Sequence, residues 1–128
     1  MDILKYLKKG LRGTINVYDS HFSYGSTWQA VESSLPLDRW HQGDFASAEY
    51  IISIELGRDK KEIIKCLLTA SPNEASVVVY GRASTTTDLV NVTAQVTNSY
   101  VELMLSPKTD AQKGCKASFS ATYFKSHT

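Results

Sequence analysis

The sequence predicts an all-β fold: an antiparallel, jelly-roll-like β-sandwich preceded by an irregular or short-helical N-terminal arm. Three observations predict it. Six runs of alternating apolar and polar residues follow one another from residue 45 onward, and a period of two marks half-buried strands. The runs are joined by two to ten residues, too few for the helical crossover that parallel strands need. Turn residues stand between the runs, among them Gly57, Pro72, Asn98-Ser99 and Gly114. We divide the chain into residues 1–44, the arm and an aromatic loop region, and residues 45–128, the sandwich.

The arm opens with DILKYLKKGL, in which Ile3, Leu4, Leu7 and the following Leu11 have helical spacing. Asp2 suits a cap and Gly10 a stop. So short a helix is not stable alone in water, so it must pack on something. Two readings stay open: a helical turn on its own domain, or an amphipathic arm for a partner protein or a membrane surface. GTINVYDSHF offers a further strand through Ile15 and Val17. LDRWHQGDF follows Pro36 and contains Gly43, and is expected to be a loop. Its Trp40 would anchor that loop over an open end of the core, the indole N–H reaching a partner.

In SAEYIISIELG, Tyr50, Ile52, Ile54 and Leu56 share a face. In EIIKCLLTASP, Ile64, Cys66, Leu68 and Ala70 do, and Pro72 with the short length favours strand over helix. ASVVVYGRAS is rich in β-branched residues. LVNVTAQVT and SYVELMLSP flank Asn98-Ser99, a hairpin turn. SPKTDAQKG is a polar loop. The closing GCKASFSATYF turns Cys115, Ala117, Phe119, Ala121 and Tyr123 to one side and Ser118, Ser120 and Thr122 to the other.

The 128 residues fit one domain, and a formal net charge of +1 gives no overall pull toward nucleic acid or anionic membrane. No apolar run reaches transmembrane length. Charges interleave with the apolar residues of the first segment, which argues against a signal peptide and for synthesis in a cytoplasm. Cys66 and Cys115 sit in apolar strand patterns and read as reduced, buried thiols. No zinc-type spacing of Cys or His occurs, so no metal and no cofactor are expected.

No catalytic motif appears. Asp38, His41 and Asp44 are the densest polar group, yet their spacing fits turn geometry better than an acid–base or metal set. No GxSxG elbow or phosphate loop is present. Arg82 reads as a surface ion pair of small value, and the NVT sequon at Asn91 as strand sequence. Tyr18, Tyr24 and Trp28 admit two readings, a platform for sugar or a wedge between arm and sandwich.

The order AEYIISIELG, KEIIKCLLTASPNEASVVVYGRAS, LVNVTAQVTNSYVELMLSP and GCKASFSATYF resembles a module of virion structural proteins of marine tailed bacteriophages, those of cyanobacteria and related ocean bacteria. It covers about residues 46 to 125. The resemblance implies a β-sandwich with an assembly role in a tail, fibre, neck or capsid surface. It carries no catalytic residues, so a non-enzymatic protein is expected. It also implies other virion proteins as partners and a symmetric homo-oligomer. On this reading Leu4, Leu7, Leu11, Trp28 and Trp40 are the assembly contacts. The alternative is a carbohydrate- or receptor-binding module of a fibre, with Tyr18, Tyr24 and Trp28 as its platform.

Overall fold

The structure, a computed structural model, describes residues 13–17, 20–24 and 26–127; the helical reading of the first ten residues lies outside them. Among the described residues ten strands follow in order: β1 Gly13–Val17, β2 Ser20–Tyr24, β3 Gln29–Val31, β4 Leu35–His41, β5 Phe45–Leu56, β6 Lys60–Ala70, β7 Ala75–Ser84, β8 Val90–Thr97, β9 Tyr100–Pro107 and β10 Cys115–Lys125. A 3-10 turn, Asp110–Gln112, interrupts the last loop. All six expected strands form, and residues 60–70 are strand rather than helix.

Every pairing is antiparallel. A seven-stranded sheet runs β1-β2-β10-β5-β6-β7, with β3 also on β10, and a three-stranded sheet runs β4-β9-β8. We call them the wide and the narrow sheet. The closing strand is interior to the wide one. One edge of β10 pairs with β5 along most of its length; the other is shared by β3 at Cys115–Ala117 and β2 at Ala121–Phe124. That explains why an apolar alternation persists so close to the C-terminal residue.

The period-two residues meet between the sheets. Tyr50, Ile52 and Ile54 of β5, Ile64, Cys66 and Leu68 of β6, and the Cys115-to-Tyr123 series of β10 face Val101, Leu103 and Leu105 of β9. Each such fully buried aliphatic side chain contributes about 1.5–3 kcal/mol by leaving water.

The LDRWHQGDF loop expectation is corrected. β4 runs through Leu35–His41, and Trp40 is a core residue at 5% exposure. The strand escaped notice because the register slips between Pro36 and Asp38, which leaves Leu37 as an extra residue. Leu37 and Asp38 therefore both point inward, and the alternation breaks. Pro36 is tolerated because β4 is an edge strand of the narrow sheet.

Asn98 and Ser99 form the two-residue turn of the β8–β9 hairpin, with Thr97 paired to Tyr100 and φ of 51° and 70°. Positive φ at both positions is the type I′ pattern that suits strand twist. Serine is the strained member, since only glycine occupies this region freely. Ser99→Gly is expected to stabilise the fold by up to about 1 kcal/mol, the relief of a left-handed cost of about 1–2 kcal/mol less the extra chain entropy that glycine loses on folding, read as a raised denaturation midpoint at unchanged m-value.

Candidate functional site

Among the described residues, the outer face of the wide sheet carries a group of exposed apolar side chains on adjacent strands. Four neighbouring strands display alternate residues there. β5 presents Glu49, Ile51 and Glu55; β6 presents Lys61, Ile63, Lys65 and Leu67; β7 presents Val78 and Tyr80; β10 presents Phe124. Ile63, Leu67, Val78 and Phe124 are each about half exposed, at 49, 46, 55 and 45%. Scattered exposed apolar residues are ordinary, but adjacent ones across strands mark a contact surface. Leu67 lies beside Val78 in the ladder, and both line an open depression of about 370 Å³ with Ser76, Thr69 and Phe124.

A bulge shapes this face. Lys65 pairs with Gly81 and Cys66 with Val79, so Tyr80 is an extra residue on β7. The Lys65 stem lies over the bare Gly81, where an added Cβ would meet the lysine Cβ at 3.7 Å. Tyr80 stays outward. Its hydroxyl donates to Glu49 Oε2 at 2.6 Å, and the Lys65 ammonium sits 5.7 Å from its ring centroid. The acceptor on Glu49 raises the Tyr80 phenol above its ordinary pKa.

The same bulge reverses the alternation beyond it, so Arg82 and Ser84 turn inward to Glu62. This corrects the reading of Arg82 as a weak surface pair. Glu62 is fully buried at its side chain, and Arg82 Nη1 approaches Oε2 at 2.9 Å. Ser84 Oγ donates to the same oxygen at 2.7 Å and the Leu89 N–H to Oε1 at 3.1 Å. Arg82 also donates to the Val90 carbonyl, and Asp88 lies 3.6 Å from both Arg82 and Lys108. This cluster fastens the chain where it crosses from the wide to the narrow sheet.

The polar residues of β4 are not gathered into a site. Asp38 points into the core, where it accepts from the hydroxyls of Tyr50 at 2.8 Å and Tyr123 at 2.6 Å. The Trp40 indole N–H donates to Tyr50 Oη at 3.1 Å, so the predicted indole partner exists but inside the core. His41 faces outward against Tyr100, and its Nδ1 accepts the Gly43 N–H at 3.1 Å. Asp44 is an exposed turn residue. Among the described residues no group of three or more His, Cys, Asp or Glu could hold a metal ion.

Burial gives the core an alkaline sensitivity. Desolvation first, and then the negative charge of Asp38, push the Tyr50 phenol well above 10.0. Burial pushes the Cys66 thiol up to about 12. Above the ordinary values of these groups the unfolded chain loses protons that the folded chain keeps. Stability is therefore complete below about pH 9 and falls as pH rises, by about 1.4 kcal/mol per pH unit for each group titrating. Denaturant midpoints between pH 8 and 11 should show the fall, and Cys66→Ala and Tyr50→Phe should each flatten it. Both cysteines are free and buried.

Of the expected contacts, Leu4, Leu7, Leu11 and Tyr18 lie outside the described residues, and Tyr24 is placed only by its backbone at the end of β2. Trp40 is withdrawn as an assembly contact, because a core side chain presents no surface to a neighbour. Trp28 is 48% exposed just before β3. It lines an open groove of about 270 Å³ with Glu55, Gly57, Gly114 and Lys116. The apolar outer face was missed, although its signal was present: Ile51, Ile63 and Leu67 occupy the face opposite the main apolar series of their strands.

No protein-family model and no curated protein matches the sequence. Solved structures do share the fold. The tailspike protein of Acinetobacter baumannii phage AM24 superposes with a TM-score of 0.52 at 10% identity, over 84% of this chain and 26% of that one. The tailspike of Acinetobacter phage vB_ApiP_P1 gives 0.53 at 13% identity, over 87% of this chain and 23% of that one. A third, gp49 of A. baumannii bacteriophage Fri1, is described as a capsular polysaccharide depolymerase; it gives 0.41 at 10% identity, over 97% of this chain and 21% of that one. The chain thus spans about a quarter or less of each tailspike. The expectation of a non-enzymatic protein is corrected: the fold is shared with a phage AM24 tailspike of which this chain spans about a quarter, and the missing catalytic motif does not decide whether the chain takes part in catalysis. At these identities the likeness to the AM24 and vB_ApiP_P1 tailspikes shows a shared β-sandwich fold.

Proposed function

We propose that the chain is a β-sandwich component of a tailed-bacteriophage virion, belonging to a tail, tailspike or fibre, and that it works through protein–protein assembly contacts. The observation that carries this is the apolar outer face of the wide sheet, where Ile63, Leu67 and Val78 stand half exposed among the described residues. The fold shared with two phage tailspikes supports the virion setting. The partners are other virion proteins, and the arm residues Leu4, Leu7 and Leu11, with Trp28, are the proposed second contact. No helix among the described residues is long and apolar enough to cross a membrane. Deleting residues 1–12 should reduce the amount of chain that co-purifies with density-banded particles while the circular dichroism spectrum of the isolated chain is kept. Absence of the full chain from banded particles would overturn the proposal.

A second reading is favoured by Trp28. A half-exposed indole beside Glu55 and Lys116 offers a flat apolar surface with polar groups at its rim, the chemistry that suits a sugar ring. Glycan-array binding that is lost in Trp28→Ala at unchanged melting temperature would establish it; no binding by the intact chain would remove it.

A further inference from the structure

The edge strands β7 and β8 form a second surface, on the flank of the sandwich rather than on the outer face of the wide sheet. We infer that this flank binds a second copy of the chain. β7 of each copy pairs antiparallel with β7 of the other, about a two-fold axis normal to the sheets that passes through Val77.

Both strands end their sheets, and among the described residues no strand pairs with their outer edges. They lie on one side of the molecule: β7 packs beside β8, and Arg82 donates to the Val90 carbonyl at 3.2 Å. Their inward residues are incompletely covered. Ala75, Val77 and Val79 of β7 and Val92, Ala94 and Val96 of β8 pack against the core but stay only partly buried. Ile52, Ile64 and Leu103, on interior strands, are fully buried. Aliphatic surface left half in water gains by being covered.

An open edge normally carries a block against further pairing. β4, the other edge of the narrow sheet, has Pro36, a bulge and Arg39. Residues 75–79 of β7 hold no charge, no proline and no bulge, and β8 is uncharged throughout. Such an edge accepts another strand.

The match of the flank with itself singles out a second copy. Regular pairing on β7 is bounded on one side by a turn, where the Ser71 N–H donates to the Glu74 carbonyl at 2.8 Å, and on the other by the extra residue Tyr80. The regular stretch is residues 75–79, and its midpoint is Val77. A two-fold there sets Val77 against Val77, Ala75 against Val79 and Ser76 against Val78. An axis normal to the sheets keeps inward residues inward, so Ala75, Val77 and Val79 of the two copies form one apolar row. No charge is buried in any of these pairs. Both narrow sheets then lie on the same side of the joined wide sheet, and the β8 series of each copy flanks the join. An isologous contact of this kind uses one patch on both subunits. β1, the other free edge of the wide sheet, would bring one layer only. The narrow sheet ends at β4, whose Asp38 is bonded to Tyr123 of β10, and β1 lies two strands beyond β10.

β8 is 8 residues long. At about 3.3 Å per residue, and with two layers about 10 Å apart plus their outward side chains, the flank measures roughly 25 by 20 Å. Two copies bury roughly 1,000 Å², the low end of specific interfaces, so a reversible dimer is expected.

Sedimentation velocity on the full chain from about 1 to 200 μM tests this, together with amide hydrogen exchange at the two ends of that range. A concentration-dependent dimer is expected, with exchange slowed at residues 75–79 in the concentrated sample and unchanged in β4. Val77→Glu and Val77→Lys should each weaken self-association about tenfold or more, because each sets like charges directly opposite at the axis. Their equimolar mixture should recover it, since Val77 then faces its opposite charge. The exchange measurement needs no variant, so it decides the matter if either substitution impairs folding. A monomer at all concentrations, a trimer, a dimer whose residues 75–79 exchange as fast as in the monomer, or a mixture of folded variants that fails to recover would each overturn the inference. A monomer that still entered particles would remove the two-fold contact and leave the virion reading intact.

Discussion

Asp38→Ala is expected to destabilise the fold by about 3–5 kcal/mol. Asp38 is 3% exposed and accepts from two buried phenols, Tyr50 at 2.8 Å and Tyr123 at 2.6 Å. Each buried donor left without its acceptor costs about 1–3 kcal/mol, and the small cavity adds to that. The loss is a large share of the roughly 5–15 kcal/mol that holds a domain folded. It would also fall on the tie between sheets, since Asp38 is in β4 of the narrow sheet and both tyrosines are in the wide one. Urea denaturation followed by tryptophan fluorescence measures it, with Trp40 as a reporter inside the network. Tyr50→Phe with Tyr123→Phe in the Asp38→Ala background should return part of the loss, because no phenol then remains unsatisfied, less the cost of the Trp40 indole N–H that loses Tyr50 Oη as its acceptor. A cost under about 1 kcal/mol for Asp38→Ala would show that the network contributes little.

Arg82→Ala is the second large effect, expected at about 3–5 kcal/mol. The cost arises from what is left behind. Glu62 has no exposed side-chain surface and would lose its 2.9 Å guanidinium partner, keeping only Ser84 and the Leu89 N–H. Removing one partner of a buried pair is much more costly than removing both. The double variant Glu62→Gln/Arg82→Met should therefore be more stable than Arg82→Ala alone, as measured by a double-mutant cycle in urea. If the double variant were the worse of the two, the penalty would lie in lost packing rather than in an uncompensated carboxylate. Because the cluster sits at the passage from β7 to β8, hydrogen exchange in Arg82→Ala should rise first between residues 82 and 92.

The candidate surface was partly legible. The sequence shows Ile51, Ile63 and Leu67 on the second face of their strands, a sign that both faces of β5 and β6 meet something apolar. It does not show what covers either face. That depends on sheet order, and the narrow sheet has only three strands to lay against a sheet of seven. The Trp40 reading failed for a related reason. An indole in a polar stretch looks like an exposed anchor until a bulge turns Leu37 and Asp38 to the same side. Arg82 was undervalued because the bulge at Tyr80 is a pairing event between β6 and β7, and pairing is not written in either strand alone.

By itself the sequence determined that this protein is an antiparallel β-sandwich. Period-two patterning acts over a few residues, and each of the six expected strands carries enough of it to be recognised. Turn chemistry is equally local, as Asn98-Ser99 shows. Only the tertiary structure decided that β10 is an interior strand, that Asp38 joins two tyrosines from distant parts of the chain, and that Arg82 answers a buried glutamate. Those outcomes rest on register. A one-residue slip exchanges the two faces of a strand, and the energy that selects one register comes from contacts between segments up to 85 residues apart in the chain. Local propensity cannot report them, because they do not exist until the sheets close.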